Sequence, residues 1–241
     1  MEKYYKSALS FIHDKYYGDI ARHAAGEIIL KRKNNAYSKV IDLGCGSGIL
    51  AALLNENQME VLGVDISADM LDLARKNAPA STFVQSSIFD FEFEHVDVFS
   101  AIGEPFNYLF DHQSSYNSLA AIFKRIKQHL SPDGFFLFDI LCNGVENKNP
   151  HRVIENDDYI MKLDIEIVEA SKYLTRTIKL RMKDFGEEKE DIEIHRQLLF
   201  DVHQVERLLR EIGFQVEMWN HYGELSLRTG HVAFYCIPEK D

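Results

Sequence analysis

Residues 40–48 read Val-Ile-Asp-Leu-Gly-Cys-Gly-Ser-Gly, an apolar run that breaks into glycines at 44, 46 and 48. Glycine lets backbone approach a ligand closely, because it has no side chain to interpose and accepts positive φ. Between a strand and a helix, such a turn stands at the carboxyl end of a sheet, where α/β folds bind small molecules. Asp42 bears on which kind of molecule. A pyrophosphate would sit poorly beside this carboxylate, whereas a ligand carrying an ammonium group would be welcomed by it. A dinucleotide-binding turn would read GxGxxG, but Ile49 occupies the place of its third glycine. Asp65 follows Gly44 by 21 residues and closes a second apolar run. From there an acidic side chain can hydrogen-bond both hydroxyls of a ribose. That role alone would also suit a nicotinamide dehydrogenase; Asp42, the glycine spacing and Asp65 together argue against one.

With these residues in view, the chain resembles the class I S-adenosylmethionine-dependent methyltransferases. Their first motif reads much like residues 40–48, and their second strand often ends like Gly63-Val64-Asp65-Ile66-Ser67, with a downstream pair like Met70-Leu71. The resemblance is strong over residues 37–140 and elsewhere covers only the order of elements. It implies S-adenosylmethionine as cofactor, with Gly44, Cys45 and Gly46 along its methionine part, Asp65 on the ribose, and Ile66 and Met70 on the adenine. Where the family often has Gly-Asp after the third strand, this chain has Ser86-Ser87. Ser87 is then expected to offer one hydrogen bond to the adenine amine, and Ile88 a backbone N–H and an apolar contact. The resemblance also turns the end of the fourth strand, Ala101 and Ile102, towards the sulfonium and the acceptor, and makes Arg22 a candidate clamp for the methionine carboxylate.

Methyl transfer from a sulfonium is an in-line displacement, so the protein mainly has to orient the nucleophile. Candidates for the acceptor site come from the N-terminal helices (Tyr16, Tyr17), the loop after the fourth strand (Glu104, Asn107, Tyr108) and a set of later strands (His195, Arg196). Each has a plainer reading. Tyr16 and Tyr17 serve equally as packing aromatics, and Arg22 as a surface charge. His195 alternates with Ile194, so on a strand it faces away from the apolar side and towards either solvent or substrate. Cys45 is a small residue suited to a tight turn. No general base can be assigned. Glu104-Pro105-Phe106-Asn107 matches the Asn/Asp-Pro-Pro-aromatic signature of amino-methylating DNA enzymes poorly, since Glu replaces the amide or Asp and the second Pro is missing.

The elements that must position these groups follow from periodicity. Apolar residues from 12 to 30 are spaced for one or two helices, ending in the polar stretch 31–38. Short apolar runs at 39–41, 61–64, 82–85, 96–99 and 135–140 alternate with helical spacing at 49–54, 67–76 and 115–130, the pattern of a parallel sheet covered on both faces. Ser67 is placed to cap one helix, Asp201 another, and Ser131-Pro132-Asp133-Gly134 makes a turn. Between 159 and 200 strict alternation predicts three antiparallel strands. A helix over 202–212 and strands at 214–219 and 231–237 then complete a sheet of about seven. The expected fold is α/β and Rossmann-like: a mostly parallel seven-stranded sheet with an antiparallel terminal hairpin and an inserted three-stranded lid. One methyltransferase domain over 1–241 would divide into an N-terminal helical cap (1–36), a cofactor-binding core (37–145), the lid (155–200) and the last helix and two strands (201–241).

A net charge of −11 disfavours nucleic acid as a partner, because phosphates must be met by clustered Lys and Arg. Only Lys31-Arg32-Lys33 is locally basic, and it reads as a solvated helix end. No apolar run approaches the roughly 20 residues of a membrane span, and the first residues lack the pattern of a secretory signal. A cytoplasmic protein without membrane partners is expected. Three dispersed cysteines give no sign of a disulfide framework or a metal site. A small-molecule substrate leads; methylation of a protein or RNA, or a cofactor-binding scaffold without turnover, stay open, as does the oligomeric state.

Overall fold

The computed structural model describes residues 5–32, 37–111, 113–144, 150–168, 172–183 and 190–239. Two helices, α1 (Ser7–Tyr16) and α2 (Asp19–Arg32), precede an alternation of β1 (Lys39–Leu43), α3 (Ile49–Glu56), β2 (Glu60–Asp65), α4 (Ala68–Asn77), β3 (Thr82–Gln85), β4 (Val96–Ala101), α5 (Tyr116–His129) and β5 (Leu130–Leu141). After β6 (His151–Glu155), β7 (Tyr159–Val168), β8 (Tyr173–Met182) and β9 (Glu190–Leu198) come α6 (Val202–Ile212) and β10 (Phe214–Trp219). A short hairpin, β11 (His221–Tyr222) and β12 (Leu225–Ser226), leads to β13 (His231–Pro238). The main sheet has the order β10-β13-β5-β4-β1-β2-β3. It is parallel from β5 to β3, and β13 runs antiparallel to both β5 and β10.

Its strands are apolar on both faces because helices cover both. Val40, Val61 and Val98 join Ala24, Ala25 and Ile28 of α2 and Leu50, Ala51 and Leu54 of α3 in one buried layer. Ile41, Leu43 and Phe99 join Phe123 of α5 and Val205 and Leu209 of α6 in the other. Each of the larger of these side chains, the alanines aside, contributes about 1.5–3 kcal/mol on burial. The caps at Ser67 and Asp201 hold as expected. Ser67 accepts from Met70 N at 3.3 Å, Asp201 accepts from Gln204 N at 2.8 Å, and Gly213 ends α6 at φ +94°. Residues 131–134 are looped out of the ladder, since β4–β5 pairing passes from Val96–Leu130 to Val98–Phe135.

The inserted strands form a separate antiparallel sheet of four, β6-β7-β8-β9, rather than three. The added strand, β6, is an edge whose residues are mostly exposed, so it carries no alternation for a sequence to display. One face of this sheet packs on α1, where Leu9 and Ile12 meet Tyr159, Met161, Ile178 and Leu180. On β9 the expected faces are inverted: Ile192 and Ile194 are 48% and 49% exposed, and Glu193, His195 and Gln197 point inward. Of the basic triplet, Arg32 is buried rather than solvated. It donates to Ser38 Oγ and Asp133 O and pairs with Asp97 at 3.1 Å, locking the end of α2 to the sheet. The rest of the polar stretch, 33–36, lies outside the described residues. Among the described residues no helix is long and apolar enough to cross a membrane.

Candidate active site

A cleft of about 1010 Å³, its mouth included, opens at the carboxyl ends of β1, β2 and β4. Its floor is the glycine turn. Gly44 and Cys45 both donate to Val64 O, at 2.7 and 3.1 Å, which folds the turn back over β2. Gly44 sits at φ +74°, and a Cβ there would come within 2.6 Å of Pro105 Cβ. Gly46, at φ +53°, faces open space, with no heavy atom within 4 Å of where a Cβ would stand. Asp65 is anchored by backbone alone: Ser67 N donates to Oδ1 at 2.8 Å and Gly46 N to Oδ2 at 2.9 Å. Burial pushes its carboxyl up, and the backbone donors of Ser67, Gly46 and Ile66 oppose the rise. The two oxygens keep acceptor capacity beyond these donors.

Most of the residues expected around a cofactor line this cleft: Gly44, Cys45, Gly46, Asp65, Ile66, Met70, Ile88 and Ile102. Four do not. Asp42 lies beneath the turn, 2% exposed, accepting from Ser100 Oγ at 2.7 Å; burial pushes it up to about 7. It is part of the sheet that supports the turn and does not line the cleft. Ala101 is fully buried in β4, one residue short of the opening. Ser87 is turned away: its hydroxyl donates to Asp111 and accepts from Phe89 N at 3.1 Å, while Ser86, Ile88 and Asp111 border the cleft. Arg22 is half-exposed and pairs with Asp19 at 3.2 Å, although its guanidinium overhangs Gly18 on the rim. The thiol of Cys45 is pushed well up by burial and by Asp65 and Asp42, so it stays protonated.

Of the acceptor-site candidates, Tyr17 and Tyr108 line the cleft. Tyr16 is out on the surface, where it and Lys15 bond Asp158. Asn107 is buried and pins the fold, donating to Leu141 O and accepting from Leu141 N. Arg196 is exposed and contributes its carbonyl to Leu109 N. His195 is 1% exposed, hydrogen-bonded to Glu193 at 2.9 Å, and backs the rings of Tyr5, Tyr108 and Phe110. It is neither solvent-facing nor at the cleft wall.

Glu104 also stands behind the wall, at the centre of a buried polar network. Its carboxylate receives Arg176 of β8 at 3.3 and 3.4 Å, Gln197 of β9, and His231 of β13 at 2.9 Å. Burial would push it up; the Arg176 guanidinium, followed by His231 and Gln197, holds it down at about 2. Its backbone is left-handed at φ +64°, and Asp139 secures that turn by accepting from Gly103 N and Glu104 N. Tyr222 also donates to Asp139, whose carboxyl burial pushes up to about 6. The pair Glu104 and Asp139 thus fixes residues 103–105, which form the wall opposite the glycine turn.

The sequence reading missed Tyr5, His13, Phe110 and Asp111, all of which line the cleft. Glu193 clamps the first of these, accepting from Tyr5 N and Lys6 N at 2.8 and 2.9 Å. Two signals were available. His13 precedes Tyr17 by one helical turn, on one face of α1. Asp139 interrupts the apolar run Phe135-Phe136-Leu137-Phe138, and a carboxylate in a buried strand needs a reason. Among the described residues no cluster of three side chains suits a metal ion.

Residues 40–134 match the family profile described as a methyltransferase domain. A Geobacillus sp. protein provisionally named a methyltransferase is 27% identical, over 87% of this chain and 88% of its own. The crystal structure of an S-adenosylmethionine-dependent methyltransferase from Clostridium acetobutylicum superposes with a TM-score of 0.80 at 18% identity, covering 98% of this chain and 99% of that one. An amino pentose methyltransferase of Micromonospora echinaspora, solved with S-adenosylmethionine bound, gives 0.74 at 15% identity, covering 98% and 97%.

Proposed function

We propose, for a chain that belongs to the class I S-adenosylmethionine-dependent methyltransferases, that it methylates an amine or hydroxyl of a small molecule held in the cleft above the glycine turn. The observation that carries this is the pairing of open space at Gly46 with Asp65 held by backbone donors on the same cleft. A bare turn suits the extended methionine part of the cofactor, and a carboxylate with remaining acceptor capacity suits the ribose diol. Ile66, 37% exposed at the cleft edge, and Met70 offer apolar surface for the adenine, with Ile88 beside it. When bound, the cofactor supplies an electrophilic methyl group on a sulfonium. The chain's own work is then to orient the nucleophile and exclude water.

Orientation falls to the wall formed by Tyr5, His13, Tyr17 and Tyr108, joined by Gly103 and Pro105. Exclusion of water falls to α1 and the four-stranded sheet, which we read as a lid over the acceptor end. The clamp of Glu193 on Tyr5 N and Lys6 N and the bonds of Arg176 and Gln197 to Glu104 tie that sheet to the core. A small molecule fits this enclosure, and the Micromonospora enzyme, whose substrate is an amino pentose, has the same architecture. Titration calorimetry with S-adenosylmethionine, S-adenosylhomocysteine and NAD tests the reading. Binding of the two sulfur compounds with none for NAD is expected; binding of NAD alone would overturn it.

A further inference from the structure

Around the acceptor end, the polar side chains are almost all occupied by one another. The phenols of Tyr5 and Tyr108 share a hydrogen bond of 2.9 Å, Tyr17 approaches Tyr159 at 3.4 Å, and Asp111 takes the Ser87 hydroxyl and Gln113 N. His13 is the exception. Its half-buried ring borders the cleft between Tyr5 and Tyr17, with ring centroids at 5.5 and 6.4 Å, and its Nδ1 has no hydrogen-bond partner among the described residues. A buried polar atom left unpaired on a residue of the cleft wall calls for a partner that arrives with a ligand. Among the residues lining the cleft the charge is one-sided. No Lys or Arg is among the described residues lining the cleft, whereas Asp65 and Asp111 are.

We propose that the imidazole of His13 receives the acceptor, taking a hydrogen bond from the nucleophilic nitrogen of an uncharged primary or secondary amine and thereby aiming its lone pair. This rests on the methyltransferase reading above and narrows it. In the transfer the nitrogen lone pair forms the N–C bond while the C–S bond breaks, its electron pair returning to sulfur. Positive charge passes from sulfur to nitrogen and the N–H bonds persist, so no base is needed at that moment; the product ammonium loses its proton to water after release. Burial, with a further push from His195 against a pull from Asp14, lowers the His13 imidazole to about 4. The ring is therefore uncharged at neutral pH and always keeps one nitrogen as an acceptor. A hydroxyl acceptor would need its proton removed by a base titrating near the working pH, which His13 is not. An anionic acceptor would find no Lys or Arg among the residues lining the cleft, since Arg176 is drawn to Glu104 and Arg22 stands only at the rim, whereas a developing ammonium gains from the tyrosine rings beside His13.

The test uses the full chain saturated with S-adenosylhomocysteine and titrates it with benzylamine, cyclohexylamine and an amino sugar, each beside its hydroxy counterpart. NMR follows the His13 ring signals, with exposed His151 as an internal control, and calorimetry follows affinity. Titrated above their own pKa, where they are uncharged, the amines are expected to move the His13 signals and to be methylated when S-adenosylmethionine replaces the product; the alcohols, whose O–H also donates to the ring, are not methylated. His13→Leu should weaken amine binding about tenfold, the loss of one hydrogen bond, and His13→Gln, which keeps an acceptor, should restore it to within about threefold. Affinity for S-adenosylhomocysteine should stay within about twofold of wild type in both variants. Amines that leave His13 unmoved, alcohols methylated as fast as the amines, or an unchanged amine affinity in His13→Leu would overturn the assignment. Failure of S-adenosylhomocysteine to bind the wild type would instead overturn the methyltransferase reading itself.

Discussion

The two ends of the cleft are built by opposite means. At the glycine turn one continuous segment, residues 40–70, supplies strand, turn, carboxylate and cap, and its internal bonds are donated by main-chain N–H groups, as from Gly46 N to the Asp65 carboxylate and from Gly44 N to Val64 O. At the acceptor end the wall is assembled from parts far apart in the chain. Tyr5, His13, Tyr108, Arg176, Glu193 and His231 come from the N-terminus, the loop after β4, the second sheet and the last strand. Its bonds are made by side chains, and they include a buried ion pair. The first end is a main-chain surface whose shape depends on where glycine stands. The second is a side-chain network whose stability depends on every member being matched.

The contrast can be broken most forcefully at Arg176. Arg176→Met leaves the Glu104 carboxylate buried without its guanidinium and should cost about 3–5 kcal/mol in urea unfolding. Restoring neutrality with Glu104→Gln in the same chain should recover part of that loss. Because Glu104 is held at about 2 against an ordinary 4.5, its contribution is complete above about 4.5 and is lost as pH falls through 2. A wild-type acid limb in that window, flattened in the double variant, checks the sign.

Asp65→Ala should act on the other end and in another currency: binding of S-adenosylhomocysteine about 30- to 100-fold weaker by calorimetry, with little change in unfolding midpoint. A large stability loss with intact affinity would reverse the contrast. Asp42→Asn probes the support beneath the turn. Its folded carboxyl stands at about 7 against an ordinary 3.8, so the native state holds the extra proton between those values and wild-type stability falls as pH rises through them. The variant should lack that slope and be about 1–2 kcal/mol more stable than wild type at pH 8, read from urea unfolding at several pH values. Least affected should be Ile194→Ser on the outer face of β9, within about 0.5 kcal/mol despite the loss of a large apolar side chain.

By itself the sequence determined the alternating strands and helices, the glycine turn with Asp65 beside it, the caps at Ser67 and Asp201, and the antiparallel terminal hairpin of β10 and β13. These are local: the period of apolar residues, the freedom of glycine and the reach of a carboxylate over a few residues decide them wherever the segment lies. The tertiary structure decided the rest. Ile194 was read as facing the core because apolar side chains usually do. On β9 the inward space is already polar, filled by Glu193, His195 and Gln197 against Tyr5 and Glu104, so the isoleucines are left outside. Ser87 was expected to face the cleft, but it serves Asp111, which comes from 24 residues further on. Glu104 was read as an acceptor-site residue, yet three cations and amides from strands more than 70 residues away draw it into the interior. A buried charge goes where its partners are, and partners brought together only by the fold leave no pattern along the chain.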